Sequence, residues 1–146
     1  MANPASPEVI KGIQLLMGAV NKSNVSPTVI ALSHLRASQI NGCSFCVESG
    51  SLHAKRSGET EERLFAVAAW RESPRFTNAE RAALALTEAV TRIADEPDPV
   101  PDEIWNEAAK YFDEQGLATL VLSIAMTNVF NRFNAATRQI AAGEWK

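Results

Sequence analysis

Apolar residues in this chain recur every three to four positions, and no run alternates with period two for long. That spacing lines one face of an α-helix and leaves the alternation of a β-strand unfilled, so the pattern calls for an all-α fold. Prolines and glycines sit between the periodic segments. The pattern predicts a first helix from Pro7, capped by Ser6, with Val9, Ile13, Leu16, Met17 and Val20 on its core face. Ser26-Pro27 starts a second helix to about Ile40, with Val29, Ile30, Leu32 and Leu35 inward. Asn41-Gly42 is a turn signal. A third helix follows from about Cys43 to Ser57-Gly58, where glycine suits a C-cap. Glu59 to Trp70 forms a shorter helix with Leu64, Phe65, Val67 and Ala68 apolar, ended by Ser73-Pro74. Thr77-Asn78-Ala79-Glu80 reads as a capping box for a helix to about Ala94, with Ala83, Leu84, Leu86, Ala89, Val90 and Ile93 as its apolar residues. Three prolines between Asp95 and Pro101 make that segment a loop. Another helix spans about Asp102 to Asp113, and Gln115-Gly116 punctuates. The last, about Leu117 to Ala141, is apolar nearly all round through Phe133. Such a helix is buried on nearly all sides, and in a chain this small part of that cover is expected from another subunit.

Residues 1–146 fit a single domain. A net charge of −3 argues against nucleic acid as a partner, because phosphate binding needs a concentrated basic surface. No window approaches the roughly 18 apolar residues of a membrane span. Met1 to Pro7 carries neither a basic nor an apolar leader region, so a cytoplasmic protein is expected.

The only two cysteines are Cys43 and Cys46, spaced as C-x-x-C at a helix start. Unsatisfied backbone N–H groups there lower a thiol pKa, and a second sulfur one turn away can close a disulfide. Three chemistries fit. In peroxide reduction, one thiolate attacks the O–O bond, becomes a sulfenic acid and condenses with the other thiol; a proton donor must serve the leaving oxygen. In metal binding, Cys43, Cys46, His53 and His34 would be the ligands, although zinc sites usually show a second tight pair. In the third, both cysteines are small buried hydrophobes. A thioredoxin-type motif would follow a strand, and nothing before Cys43 reads as one.

The stretch Leu35-Arg36-Ala37-Ser38-Gln39-Ile40-Asn41-Gly42-Cys43-Ser44-Phe45-Cys46-Val47-Glu48 resembles the core of the alkylhydroperoxidase D / carboxymuconolactone decarboxylase family. The likeness continues through Ala54 and Gly58-Glu59. It resumes at Trp70 to Pro74, Phe76-Thr77 and Glu80 to Leu84, and returns at Asn128 to Phe133. The resemblance implies an alkylhydroperoxidase D-like helical fold assembled as a trimer or hexamer. It implies a thiol peroxidase with no bound cofactor, Cys46 as the peroxidatic cysteine, Cys43 as the resolving one, and a lipoyl-bearing or other dithiol protein as reductant. The related decarboxylases lack the cysteine pair, so lactone decarboxylation is not implied.

The family's proton relay usually includes a glutamate twelve residues before the first cysteine and a histidine four after the second. Here those positions are Ala31 and Gly50, and Phe45 stands where many members carry histidine or tyrosine. His53 is the first candidate to replace the relay: it lies two turns beyond Cys46 on the same helix face, with Gly50 leaving room between them. His34 and Gln39, from the preceding helix, are further candidates, and Glu48 is near in sequence but on another face. Without a replacement, the chain reads instead as a degenerate member, a redox sensor or binding scaffold. Of the other residues, Trp70 is expected in the core with Arg71 and Glu72 solvated. Glu59 to Arg63 should be a charged helix start facing solvent. Asn128, Asn131 and Arg132 should hydrogen-bond across a helix or subunit interface.

Overall fold

The computed structural model describes residues 6–141. Met1–Ala5, most of the segment read above as leaderless, lies outside them. Among the described residues the fold is all helical: α1 (Pro7–Asn21), α2 (Pro27–Ile40), α3 (Ser44–Arg56), α4 (Glu61–Ala66), a 3-10 turn (Val67–Ala69), α5 (Asn78–Thr91), α6 (Asp102–Ala109) and α7 (Glu114–Ala136). None of these helices is long and apolar enough to cross a membrane.

The helix starts follow their side chains. Ser6 Oγ accepts from the Val9 amide at 3.4 Å, and Ser26 Oγ from the Thr28 amide at 3.2 Å. Thr77 and Glu80 close a reciprocal capping box, with Thr77 N–H donating to Glu80 Oε2 at 2.8 Å and Glu80 N–H to Thr77 Oγ1 at 3.2 Å. Gly42, at φ +65°, turns the chain from α2 into α3, a conformation that L side chains rarely adopt. Gly116 does not punctuate. It lies in the first turn of α7, its amide held at 2.7 Å by the cap Asp113.

Helix α2 is central, packing on α3, α5 and α7. Its Val29 joins Ala83, Leu86, Leu120 and Ile124 in one apolar cluster. Its Leu32 and Leu35 join Leu64, Val67, Trp70 and Leu84 in a second. Truncating a fully buried leucine such as Leu84 would cost about 2–5 kcal/mol.

Three apolar faces depart from the sequence reading. On α1 only Val20 is buried, while Val9, Leu16 and Met17 are exposed. Phe65 is 77% exposed and Ile93 also faces outward. On α7, Val129 and Phe133 are exposed as well. These residues kept the helical spacing, but their side chains are left exposed among the described residues.

The charged residues depart in the opposite direction. Glu59 to Arg63 is no free solvated run, because the Arg63 guanidinium bonds Glu59 at 2.9 Å and Glu80 at 2.6 Å. Glu88 on α5, 5% exposed, accepts from Arg36 Nε at 2.7 Å, Trp70 Nε1 at 2.9 Å and Arg71 Nη1 at 2.5 Å. Arg71 is therefore tied to the core carboxylate, not simply solvated. Asn128 and Asn131 of α7 bond across helices as expected, whereas Arg132 does not. Asn41 Nδ2 donates to Asn128 Oδ1 at 3.0 Å and Asn131 Oδ1 at 2.9 Å, and Asn131 Nδ2 donates to Ser38 Oγ at 3.0 Å. Exposed Arg132 bonds back to Asn128 one turn earlier.

Candidate functional site

Cys43 is the N-cap of α3 and Cys46 sits in its first turn. The two sulfurs form a disulfide, and the Cys43 sulfur also accepts from the Cys46 amide at 3.3 Å. The helix start thus directs one of its otherwise unsatisfied N–H groups at the pair. Cys43 is 3% and Cys46 2% exposed. Asn134, near the end of α7, directs Nδ2 at Cys46 Sγ from 3.3 Å. An N–H donor on sulfur favours the thiolate when the disulfide is reduced. Nothing in the spacing of the cysteines pointed to Asn134, because α7 reaches the site only by tertiary packing.

Beside the pair lies a cavity of about 540 Å³, walled by α1, α2, α3 and α7. Its lining is mostly apolar, with Met17, Val20, Ile30, Met126 and Phe130, and its titratable side chains are His34 and His53. The sulfurs do not line it. A second, polar pocket lies alongside, lined by Glu59, Arg63 and Glu80 among others. It shares Pro27, Ala31 and His53 with the first.

His53 is exposed on the wall common to both cavities. His34 is the histidine that meets the cysteine segment. Its Nδ1 lies 3.2 Å from Thr127 Oγ1, and its ring packs against Gly50, one turn beyond Cys46 on α3. Burial holds the imidazole below its ordinary pKa; the Cys46 backbone nearby opposes this, and the His53 charge adds to it. The space at Gly50 is taken by this ring. A Cβ built on Gly50 would stand 2.7 Å from His34 Cδ2 and 2.9 Å from Nε2. The sequence offered a signal for this: a glycine inside a helix implies that something approaches closely.

The remaining candidates lie elsewhere. Gln39 accepts from Arg36 at 3.4 Å, which turns it toward the Glu88 cluster. Glu48 is half-buried and Phe45 likewise, and Ala31 stands where the two cavities adjoin. Among the described residues no group of three or more His, Cys, Asp or Glu is arranged to hold a metal ion. Both sulfurs are committed to each other.

Comparison with known proteins gives consistent matches. The sequence profile of the carboxymuconolactone decarboxylase family matches residues 7–89. The uncharacterised protein YdfG of Bacillus subtilis is 34% identical over 95% of this chain and 93% of its own length. The uncharacterised protein YnjA of Escherichia coli is 36% identical over 79% of this chain, a match that spans 62% of YnjA. Among solved structures, a protein of unknown function from Agrobacterium tumefaciens, described as an AhpD-type antioxidant defence protein, superposes with a TM-score of 0.88 at 33% identity. That match covers 95% of this chain and 94% of the other. The debrominase Bmp8, as a C82A variant in complex with 2,3,4-tribromopyrrole, superposes with a TM-score of 0.76 at 26% identity, covering 94% of this chain and 73% of that one.

Proposed function

The chain belongs to the carboxymuconolactone decarboxylase family, and from that premise we propose that it is a dithiol oxidoreductase of the alkylhydroperoxidase D kind that reduces peroxides. The observation that carries this is the Cys43–Cys46 disulfide at the start of α3, with the Asn134 amide on the Cys46 sulfur. In the reduced protein, the Cys46 thiolate attacks one peroxide oxygen and the O–O bond breaks. Sulfur becomes a sulfenic acid and the other oxygen leaves as alkoxide, which takes a proton to give the alcohol. The Cys43 thiol then displaces water from the sulfenic acid, closing the disulfide. An external dithiol, carried on a lipoyl-bearing or similar protein, returns the pair to thiols by two exchange steps. The cavity is larger and more apolar than hydrogen peroxide requires, which favours a small organic peroxide. A neighbour seen with tribromopyrrole supports a small organic substrate in the same fold. The exposed apolar faces of α1 and α7 support assembly as a homo-oligomer, trimer or hexamer.

The test is to treat the reduced protein with tert-butyl hydroperoxide and analyse it by mass spectrometry. The wild type should lose two hydrogens as the disulfide forms, and Cys43→Ser should accumulate a sulfenate at Cys46 that dimedone traps. Absence of both products would refute the proposal. The burial of both sulfurs behind the cavity wall favours one second reading, a slow redox sensor or scaffold. It predicts disulfide formation without sustained turnover when a dithiol reductant is supplied.

A further inference from the structure

The two cavities lie in series along α3. Ser49 and Gly50, about one turn past Cys46, line the apolar one. Ala54, Ser57 and Gly58, at the far end of the helix, line the polar one of about 390 Å³. Pro27, Ala31 and His53 border both. Resting on the peroxidase reading, we propose that the two spaces form one bipartite substrate site whose preferred substrate is an elongated amphiphile. Its hydroperoxide and apolar body occupy the first cavity, and an ammonium-type head, rich in hydrogen-bond donors, occupies the second.

Continuity is the first argument. From Gly50 to Ser57 the helix rises about 10 Å at roughly 1.5 Å per residue, so a ligand that reaches both cavities must be elongated. Ala31 of α2 borders both spaces and brings only a methyl group to that position. No long side chain of α2 stands there to divide them.

The hydrogen-bond inventory of the polar cavity is the second. Its arginine, Arg63, has no donor left for an anion. Nε and Nη2 donate to Glu59, Nη1 and Nη2 to Glu80, and Nη1 also to the Arg75 carbonyl, which uses all five N–H groups of a guanidinium. The carboxylates are not exhausted. Among the described residues, Glu59 Oε2 and Glu80 Oε1 each accept one bond, from Arg63 Nη2, and a carboxylate oxygen has room for a second. With histidine counted neutral, two carboxylates line this cavity against one guanidinium, an excess of negative charge. Spare acceptors, no spare guanidinium donor and unbalanced negative charge fit a cationic donor and reject a carboxylate.

The third argument is direction. Cys46 lies in the first turn of α3, so the apolar cavity is at the cysteine end of the helix and the polar cavity at the other. A substrate with its head on Glu59 and Glu80 presents its opposite end toward the cysteines. The reversed molecule would place a charged head among Met17, Ile30, Met126 and Phe130, where its lost hydration is not replaced. The site therefore sets the orientation of the substrate as well as its class.

The experiment titrates octylammonium, octanoate and toluene, none of them a peroxide, into isotope-labelled protein and follows the amide NMR signals of Gly50 and Gly58. Octylammonium should shift both glycines, and toluene, which needs only the apolar cavity, should shift Gly50 alone. Octylammonium should bind about tenfold more tightly than octanoate, and Glu59→Gln should erase most of that preference. Ala31→Leu, which fills the junction, should weaken octylammonium by about tenfold or more and leave toluene unchanged. If Ala31→Leu fails to fold by circular dichroism, Ala31→Val replaces it. Octylammonium that leaves either glycine unmoved overturns the proposal. So does octanoate binding as tightly as octylammonium, or a folded Ala31 variant with undiminished octylammonium affinity. A protein that meets every binding expectation yet forms no disulfide with tert-butyl hydroperoxide keeps the bipartite site and loses the peroxidase reading, so the two failures are distinguishable.

Discussion

Gly50→Ala should destabilise the protein even though it replaces glycine inside a helix. On backbone grounds alone, alanine at an interior helical position gains about 0.5–1 kcal/mol over glycine. Gly12 and Gly18 of α1 have open space around a built Cβ, so Gly18→Ala should show that gain. At Gly50 the new methyl would lie 2.7 Å from His34 Cδ2. Ordinary carbon contact is about 3.5–4.0 Å, so the ring must retreat by roughly 0.8 Å or more. It is held by Thr127, and such a shift lengthens that bond. Overpacking costs about 1–3 kcal/mol and a weakened hydrogen bond about 1 kcal/mol. After the helix gain is subtracted, Gly50→Ala should lose about 1–3 kcal/mol net. The assay is urea unfolding followed by tryptophan fluorescence, at one fixed protein concentration because assembly would shift the midpoint. A cycle of Gly50→Ala, His34→Ala and the double variant isolates the clash. The double variant should be more stable than the two single losses would add up to, by about 1–3 kcal/mol of coupling. Coupling near zero, or a Gly50→Ala as stabilising as Gly18→Ala, would refute the packing of the His34 ring against Gly50.

Three further outcomes follow from the polar clusters. Glu88→Ala leaves the half-buried Arg36 without its carboxylate and the Trp70 N–H without its acceptor; a loss of about 3–5 kcal/mol in the same assay is expected, against no measurable loss for removing the exposed Lys110–Glu107 pair. Burial works against ionising Glu88 and Glu80, but bonds from Trp70, Arg71 and Arg36 in the first case and from Arg63 and Thr77 in the second outweigh it, so both carboxyls sit below their ordinary pKa. Their contribution is complete above the unfolded carboxylate range and is lost as pH falls through the depressed folded values, so thermal stability should decline below about pH 4.5, and Glu88→Gln should flatten that decline. Asn131→Ala, at a side chain 1% exposed, strands Ser38 Oγ and one acceptor site for Asn41; about 1–3 kcal/mol should be lost.

Local chemistry made much of the fold legible before any coordinates. Ser6, Ser26 and the Thr77–Glu80 box act within three residues of themselves, so their roles are written in short windows of sequence. The same holds for Asn41-Gly42 and for Cys43 at the start of α3. Faces and convergences were harder. The apolar stripe of α1 has the spacing of a core helix, yet periodicity states only that a face is apolar, not what covers it. Glu88 gathers donors from α2, from the segment after α4 and from its own helix environment, which no single window contains. His53 looked the nearer histidine because it shares a helix with Cys46. His34 reaches the same helix from α2 because α2 and α3 pack side by side, and its ring closes on Gly50.

The Cys43 sulfur occupies two posts at once, partner to Cys46 and cap of α3. A charged acceptor holds a backbone N–H more strongly than a neutral one, so whenever the reduced pair carries its charge on Cys43 the first turn is gripped more tightly than by a disulfide sulfur. The electron inventory of the site is thereby coupled to the fraying of one helix end. Amide hydrogen exchange at residues 44–47 then becomes a gauge of oxidation that never touches sulfur, and a partner that clamps or loosens that turn acquires a handle on how readily the pair accepts electrons.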